Sequence, residues 1–151
     1  MGGAPASGLT KGAYILAEAP GGKPEVLLLA TGSEVGLCLA VYECLILEGI
    51  QVRVVSLPSW ELFELQSQAY RDEVIPPQVT ARISVEQAAT TGWDRYVGAT
   101  GTSIGMNTFG ASAPLKALQS KFGFTPAHLI AAVKEQLVTS RLRGMATSME
   151  P

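Results

Sequence analysis

Two short strand-like runs, the continuously apolar residues 25–30 (EVLLLA) and residues 51–56 (QVRVVS), constrain the fold of this chain more than any other feature. A strand with one wet face alternates apolar and polar side chains, whereas a continuous apolar run is covered on both faces. The second run is rich in β-branched residues, which suit a pleated surface. Between them lies SEVGLCLAVYECLILE, residues 33–48, with Glu34 placed for a helical first turn and Gly49 placed to end the helix. Strand, helix and strand in that order imply a parallel pair joined by a right-handed crossover.

The alternation continues along the chain. Residues 12–17 (GAYILA) read as a first strand and residues 20–24 (PGGKP) as a turn. Residues 58–74 hold one or two short helices, stopped by Pro76 and Pro77. Residues 80–85 (TARISV) form another strand and residues 102–106 (TSIGM) a short last one. Ser112 caps a helix to Phe122. Thr125 and Pro126 open a final helix with Leu129, Ile130, Val133 and Leu137 on one stripe.

The expected class is α/β: a three-layer open sheet of about five strands, mostly parallel with one antiparallel strand, helices on both faces. The link between residues 12–17 and 25–30 is too brief for a crossover helix, so those strands pair antiparallel or lie apart in the sheet. Residues 11–140 are the expected folded body. Residues 1–10 read as a linker or leader, and residues 141–151, where the apolar period is lost, as a flexible tail.

Charge and cysteine usage exclude several classes. A net charge of −2 with no basic block argues against nucleic-acid binding. No apolar run approaches the ~20 residues of a membrane-spanning helix. The first residues lack the charged-then-apolar pattern of a secretory leader. Cys38 and Cys44 point about 120° apart on a helix. They read as small hydrophobes in a reducing cytoplasm, not as a disulfide or a metal pair. Their helix is apolar almost all round, its only charges being Glu34, Glu43 and Glu48. Either a second domain or subunit covers it, or it lies central to a thick core.

Candidate chemistry is sparse. Thr31, Gly32 and Ser33 lie between a buried strand and a helix start. Such a turn is either an anion site or a plain capped connection. One glycine and no lysine make it neither a dinucleotide fingerprint nor a phosphate loop. Glu86 follows a strand directly and sits at the same carboxyl edge, where ligands gather in open sheets. It has no sequence-local His, Cys or carboxylate partner, so an interdomain contact or structural role is favoured over catalysis. His128, the only histidine, lies off the apolar stripe of its helix and is expected to face solvent. No G-x-S-x-G surrounds a serine. Trp93, Tyr96, Phe109, Phe122 and Phe124 read as core or interface anchors, and Gly101, Gly105 and Gly110 as sites of positive φ or close packing.

Taken in order, KGAYILAE, EVLLLATGSEV, EGIQVRVVSLPSWELFELQ, AYRDEVIP, TARISVEQ and GMNTFGASAPLKALQSKFGFTP resemble the C-terminal domain of transketolase of the bacterial and plant kind, over about Lys11 to Leu137. The resemblance implies a piece of a large homodimer that moves two-carbon ketol units between sugar phosphates. It implies thiamine diphosphate and a divalent metal, Mg or Ca, in the parent enzyme, held mainly by its N-terminal and middle domains. The third domain is implied to be mainly architectural, without the catalytic centre, in a cytoplasmic or plastid enzyme. A regulatory nucleotide role is also associated with it. The G-D-G…N-N cofactor motif is absent from these residues, and one histidine cannot supply the family's histidine cluster. No catalytic or cofactor-binding residue therefore carries over, and the fragment alone is expected to be inactive. Pyruvate dehydrogenase and deoxyxylulose-phosphate synthase carry related domains, but GMNTFGASAP favours transketolase.

Overall fold

The computed structural model describes residues 11–31, 34–86, 94–98, 100–105 and 126–149. Five strands form one sheet: β1 (Tyr14–Ala17), β2 (Val26–Ala30), β3 (Val52–Ser56), β4 (Arg82–Glu86) and β5 (Thr102–Gly105), in the order β1-β3-β2-β4-β5. All neighbouring pairs are parallel except β1 with β3. The mixed three-layer class expected above is therefore the observed one, and β1 and β2 lie apart, with β3 between them. Crossing from β1 to β2 means stepping past β3, about 10 Å for two strand spacings. The residues of that link are held by the start of β3: Gly21 N–H donates to Gln51 Oε1 at 2.7 Å, and Gln51 N–H donates to Glu25 Oε2 at 3.0 Å.

Helix α1 (Glu34–Leu47) and the last helix, α5 (Pro126–Met149), cover one face of the sheet. Helices α2 (Trp60–Glu64), α3 (Gln68–Val74) and α4 (Asp94–Val97) cover the other. Period-2 geometry sorts the central strand between the two. Val26, Leu28 and Ala30 join Cys38, Val41, Leu45, Leu129 and Val133, while Leu27 and Leu29 join Leu57, Phe63, Val74 and Tyr96. Each fully buried leucine of β2 contributes roughly 2 kcal/mol by removal from water.

Local signals set the ends of the helices. Ser59 Oγ accepts from Leu62 N–H and Ser67 Oγ from Tyr70 N–H, capping α2 and α3. Gly49, at φ +81°, ends α1: its N–H donates to the Ile46 carbonyl and the Ile50 N–H reaches back to that of Leu45. That pair of bonds is a Schellman ending, and it needs the left-handed residue that glycine supplies.

Two readings change and a third narrows to one of its alternatives. Helix α4 lies between the last two strands, where the sequence reading placed no helix, and Tyr96 and Val97 turn inward from it onto the sheet. Helix α5 continues to Met149, past the point where the apolar period is lost. Polar anchors replace the stripe there: Arg141 Nη2 donates to Glu25 Oε1 at 2.8 Å and Arg143 Nη2 to Thr80 Oγ1 at 3.1 Å. Gly101 has ordinary φ and serves close packing, since a Cβ there would meet the Val97 carbonyl. The helix expected over residues 112–122 lies outside the described residues, as do Trp93, Phe109, Gly110, Phe122 and Phe124.

Candidate functional site

The ends of β2 and β4 define the first candidate position. Ala30 is in register with Val85, so Thr31 and Glu86 follow at adjacent strand ends. From β2 the chain enters α1 on one face, and the helix that follows β4, α4, packs on the other. Neighbouring parallel strands whose connections diverge in this way open a crevice at the carboxyl edge, the usual ligand position in open sheets. The structure thus places Thr31 and Glu86 side by side in the backbone. Gly32 and Ser33 lie outside the described residues. At the head of α1, Glu34 N–H donates to the Thr31 carbonyl at 3.3 Å, and Glu34 itself is buried.

Arginines placed inside the sheet build the second position, which the sequence reading left unremarked. Arg53 and Arg82 interrupt the two apolar strand runs QVRVVS and TARISV, and a charge inside a strand covered on both faces demands partners. That demand was the available signal. Arg53 grips both carboxylate oxygens of Glu18 at 2.8 Å and donates to the carbonyls of Glu73 and Val74, ending α3. Arg82 donates to the carbonyls of Val79, Pro76 and Tyr96 at 2.7, 2.8 and 2.7 Å. Burial lowers the Arg82 pKa from its ordinary value.

Around Arg82 a recess of about 360 Å³ opens between α2, α3 and α4. Its aromatic wall is Phe63 and Tyr96, with ring centroids 5.9 Å apart, and Trp60 stands edge-on to Tyr96 at 5.4 Å. Tyr96 Oη donates to Glu64 Oε2 at 2.8 Å, and burial, then that bond, pushes its phenol up to about 12.

Other candidates stay apart. His128 is exposed on α5. Cys38 is buried and Cys44 exposed, both as free thiols, and burial lifts the Cys38 pKa to about 12. The inert-hydrophobe reading therefore holds for Cys38 and not for Cys44. Among the described residues no group of His, Cys, Asp and Glu gathers to hold a metal ion, so the oxygen-rich set that a divalent metal with a diphosphate needs is not assembled by them. No described helix is long and apolar enough to cross a membrane.

Fold and sites together define a three-layer α/β domain: a mixed five-stranded sheet between two helix layers, with a carboxyl edge and an arginine-lined recess. Residues 12–125 match the family described as the transketolase-like TK C-terminal domain. The chain belongs to that family. Transketolase from Geobacillus stearothermophilus is 50% identical over 130 residues, covering 86% of this chain and 20% of that protein. Transketolase 1 of Escherichia coli K12 is 46% identical over 129 residues, covering 85% of this chain and 19% of its own length. The solved transketolase from Leishmania mexicana superimposes with a TM-score of 0.81 at 36% identity, over 91% of this chain and 19% of that one. The chain therefore spans about a fifth of the length of the curated relatives it matches.

Proposed function

We propose that this chain serves as the C-terminal domain of an enzyme transferring two-carbon ketol units between sugar phosphates. Thiamine diphosphate and a divalent metal belong, on this reading, to the N-terminal and middle domains of the parent. The domain contributes architecture: a packed platform for those domains and for a homodimer, in the cytoplasm or a plastid. The observation that carries it is coverage. Relatives named as transketolases match nearly all of this chain with a fifth of their own length. The purified chain, supplied with thiamine diphosphate, Mg²⁺ and sugar phosphates, is expected to give no ketol transfer. Turnover by the chain alone would sink the reading.

Helix α1 supports the dimer part. Its outward residues are Gly36, Ala40, Glu43, Cys44 and Leu47, and Leu47 is 88% exposed. An apolar helix face of this kind fits cover by another domain or subunit. Sedimentation of the chain should be concentration-dependent, and Leu47→Glu should abolish that dependence. An invariant monomer would remove the dimer from the proposal.

A second reading is favoured by the divergent connections after β2 and β4. Thr31, Gly32, Ser33 and Glu86 would there form a small-ligand or interdomain edge with a regulatory role. Calorimetric titration with nucleotides and sugar phosphates tests it. Heat that Thr31→Val abolishes supports a ligand, and no heat at millimolar concentration leaves only the interdomain edge.

A further inference from the structure

We propose that the recess between α2, α3 and α4 binds a small organic oxyanion, a phosphate or carboxylate group on an apolar body, through Arg71, Arg82 and Arg95. The argument begins with unmatched charge. Arg82 and Arg95 line the recess, and neither has a carboxylate within ion-pair distance among the described residues. Arg82 spends three N–H groups on carbonyls, which carry no formal charge, and has two more to give. Arg71 lies 3.5 Å from Glu64, longer than a charge-assisted bond, and its Nε is buried without an acceptor.

The carboxylates at the recess are shared with other donors: Glu64 Oε1 faces Arg71 at 3.5 Å, but its second oxygen and Asp72 are engaged elsewhere. Glu64 Oε2 accepts from Tyr96 Oη, and Asp72 Oδ1 accepts from Gln68 Nε2 at 2.7 Å. Three guanidinium groups thus stand against two engaged carboxylates, in a chain whose net charge is negative. Burial of Arg82 away from water strengthens its pull on a counter-ion. The rest of the wall is apolar: Phe63, Ile75 and Pro77. At about 360 Å³ the space is within the range of small-ligand sites, roughly 300–1,000 Å³. Planar forks suit the two oxygens of a phosphate or carboxylate, and the apolar wall suits a carbon body next to it. Arg95, stacked 5.9 Å over both Trp60 and Tyr96, links occupancy to indole fluorescence.

The site lies on the α4 face of the sheet and is distinct from the carboxyl edge at Thr31 and Glu86, so either can fail without the other. Titrate the full 151-residue chain with inorganic phosphate and with phenyl phosphate, by calorimetry and by the arginine Nε–H signals in NMR. Saturable binding is expected for both, tighter for phenyl phosphate, with shifts concentrated on Arg71, Arg82 and Arg95. Arg95→Gln should weaken binding about tenfold or more, while Lys134→Gln, which removes a positive charge from α5 on the opposite face, leaves it unchanged. The NMR readout needs no variant, so a poorly folding substitution does not shelter the idea. No saturation by about 10 mM of either probe overturns it. So do shifts confined to other residues, or Arg95→Gln binding as the parent does.

Discussion

Replacing Arg53 by methionine keeps most of the buried volume and removes only the guanidinium. Four hydrogen bonds go with it: two on Glu18 at 2.8 Å, one on the Glu73 carbonyl at 2.7 Å and one on the Val74 carbonyl at 3.2 Å. The carbonyls belong to the last turn of α3, which has no helical donors to offer them. Leaving a buried acceptor unsatisfied costs about 1–3 kcal/mol, and the longer bond takes the low end. On the other side, the Glu18 side chain is 41% exposed against 6% for Arg53, so water takes over the carboxylate and little is lost there. The sum is about 3 kcal/mol, or a fall in Tm of about 6–12 °C for a chain of this size. Glu18→Gln keeps the carbonyl bonds and part of the fork, so it should cost about 1 kcal/mol. Equilibrium urea unfolding of both variants measures the difference. If Arg53→Met lies within about 0.5 kcal/mol of the parent, or Glu18→Gln is the more damaging, the carbonyls do not carry the cost.

Gly12 has φ +83°, and a Cβ there would run into the Ser59 carbonyl and the Phe63 nitrogen, so Gly12→Ala should lower stability by about 3 kcal/mol or more in thermal unfolding. A cost below about 1 kcal/mol would show that β1 and α2 do not approach so closely. In dilute solution, where the chain is monomeric, a disulfide reagent should modify one thiol quickly, Cys44, and reach Cys38 only on unfolding, because Cys38 is fully buried with its pKa near 12. Two fast thiols in the native chain would contradict the packing of α1. Tyr96 is held protonated, its pKa raised from 10.0 to about 12, so its contribution is intact below pH 10 and lost as pH climbs towards 12. Tyrosinate absorbance and circular dichroism should change together in that window, and ionisation of Tyr96 near pH 10 in a still-folded chain would refute the burial argument.

Layer architecture was legible because its signals are periodic. Apolar runs at 25–30 and 51–56, each ended by turn residues, are read the same way whatever packs on them. The β1 position was only half legible: a short link forbids a parallel neighbour but does not say which strand stands between. That choice is made by side chains 30 residues and more away, such as Gln51 and Arg53, which bind the link from the start of β3. Helix α4 escaped because four residues are too few to show a period. The continuation of α5 escaped because one ion pair and one side-chain hydrogen bond, not apolar spacing, anchor its start. Of the sites, the carboxyl edge could be read from strand ends alone. The arginine recess could not, since Arg71, Arg82 and Arg95 are scattered in sequence and converge only after the α2–α3 and α4 segments fold onto one face.

The antiparallel place of β1 also sets an order of events. Its partner residues, Tyr14 with Ser56 and Ile15 with Val55, are about forty positions apart, so β1 has no neighbour until β3 has formed. The parallel pair β2 and β3, joined through α1, closes over a shorter span and presents the free edge on which β1 can dock. During synthesis the first strand of this domain to appear is thus among the later ones to pair. Until then residues 14–17 remain an exposed apolar segment, whose safe burial depends on how quickly the α1 crossover is completed.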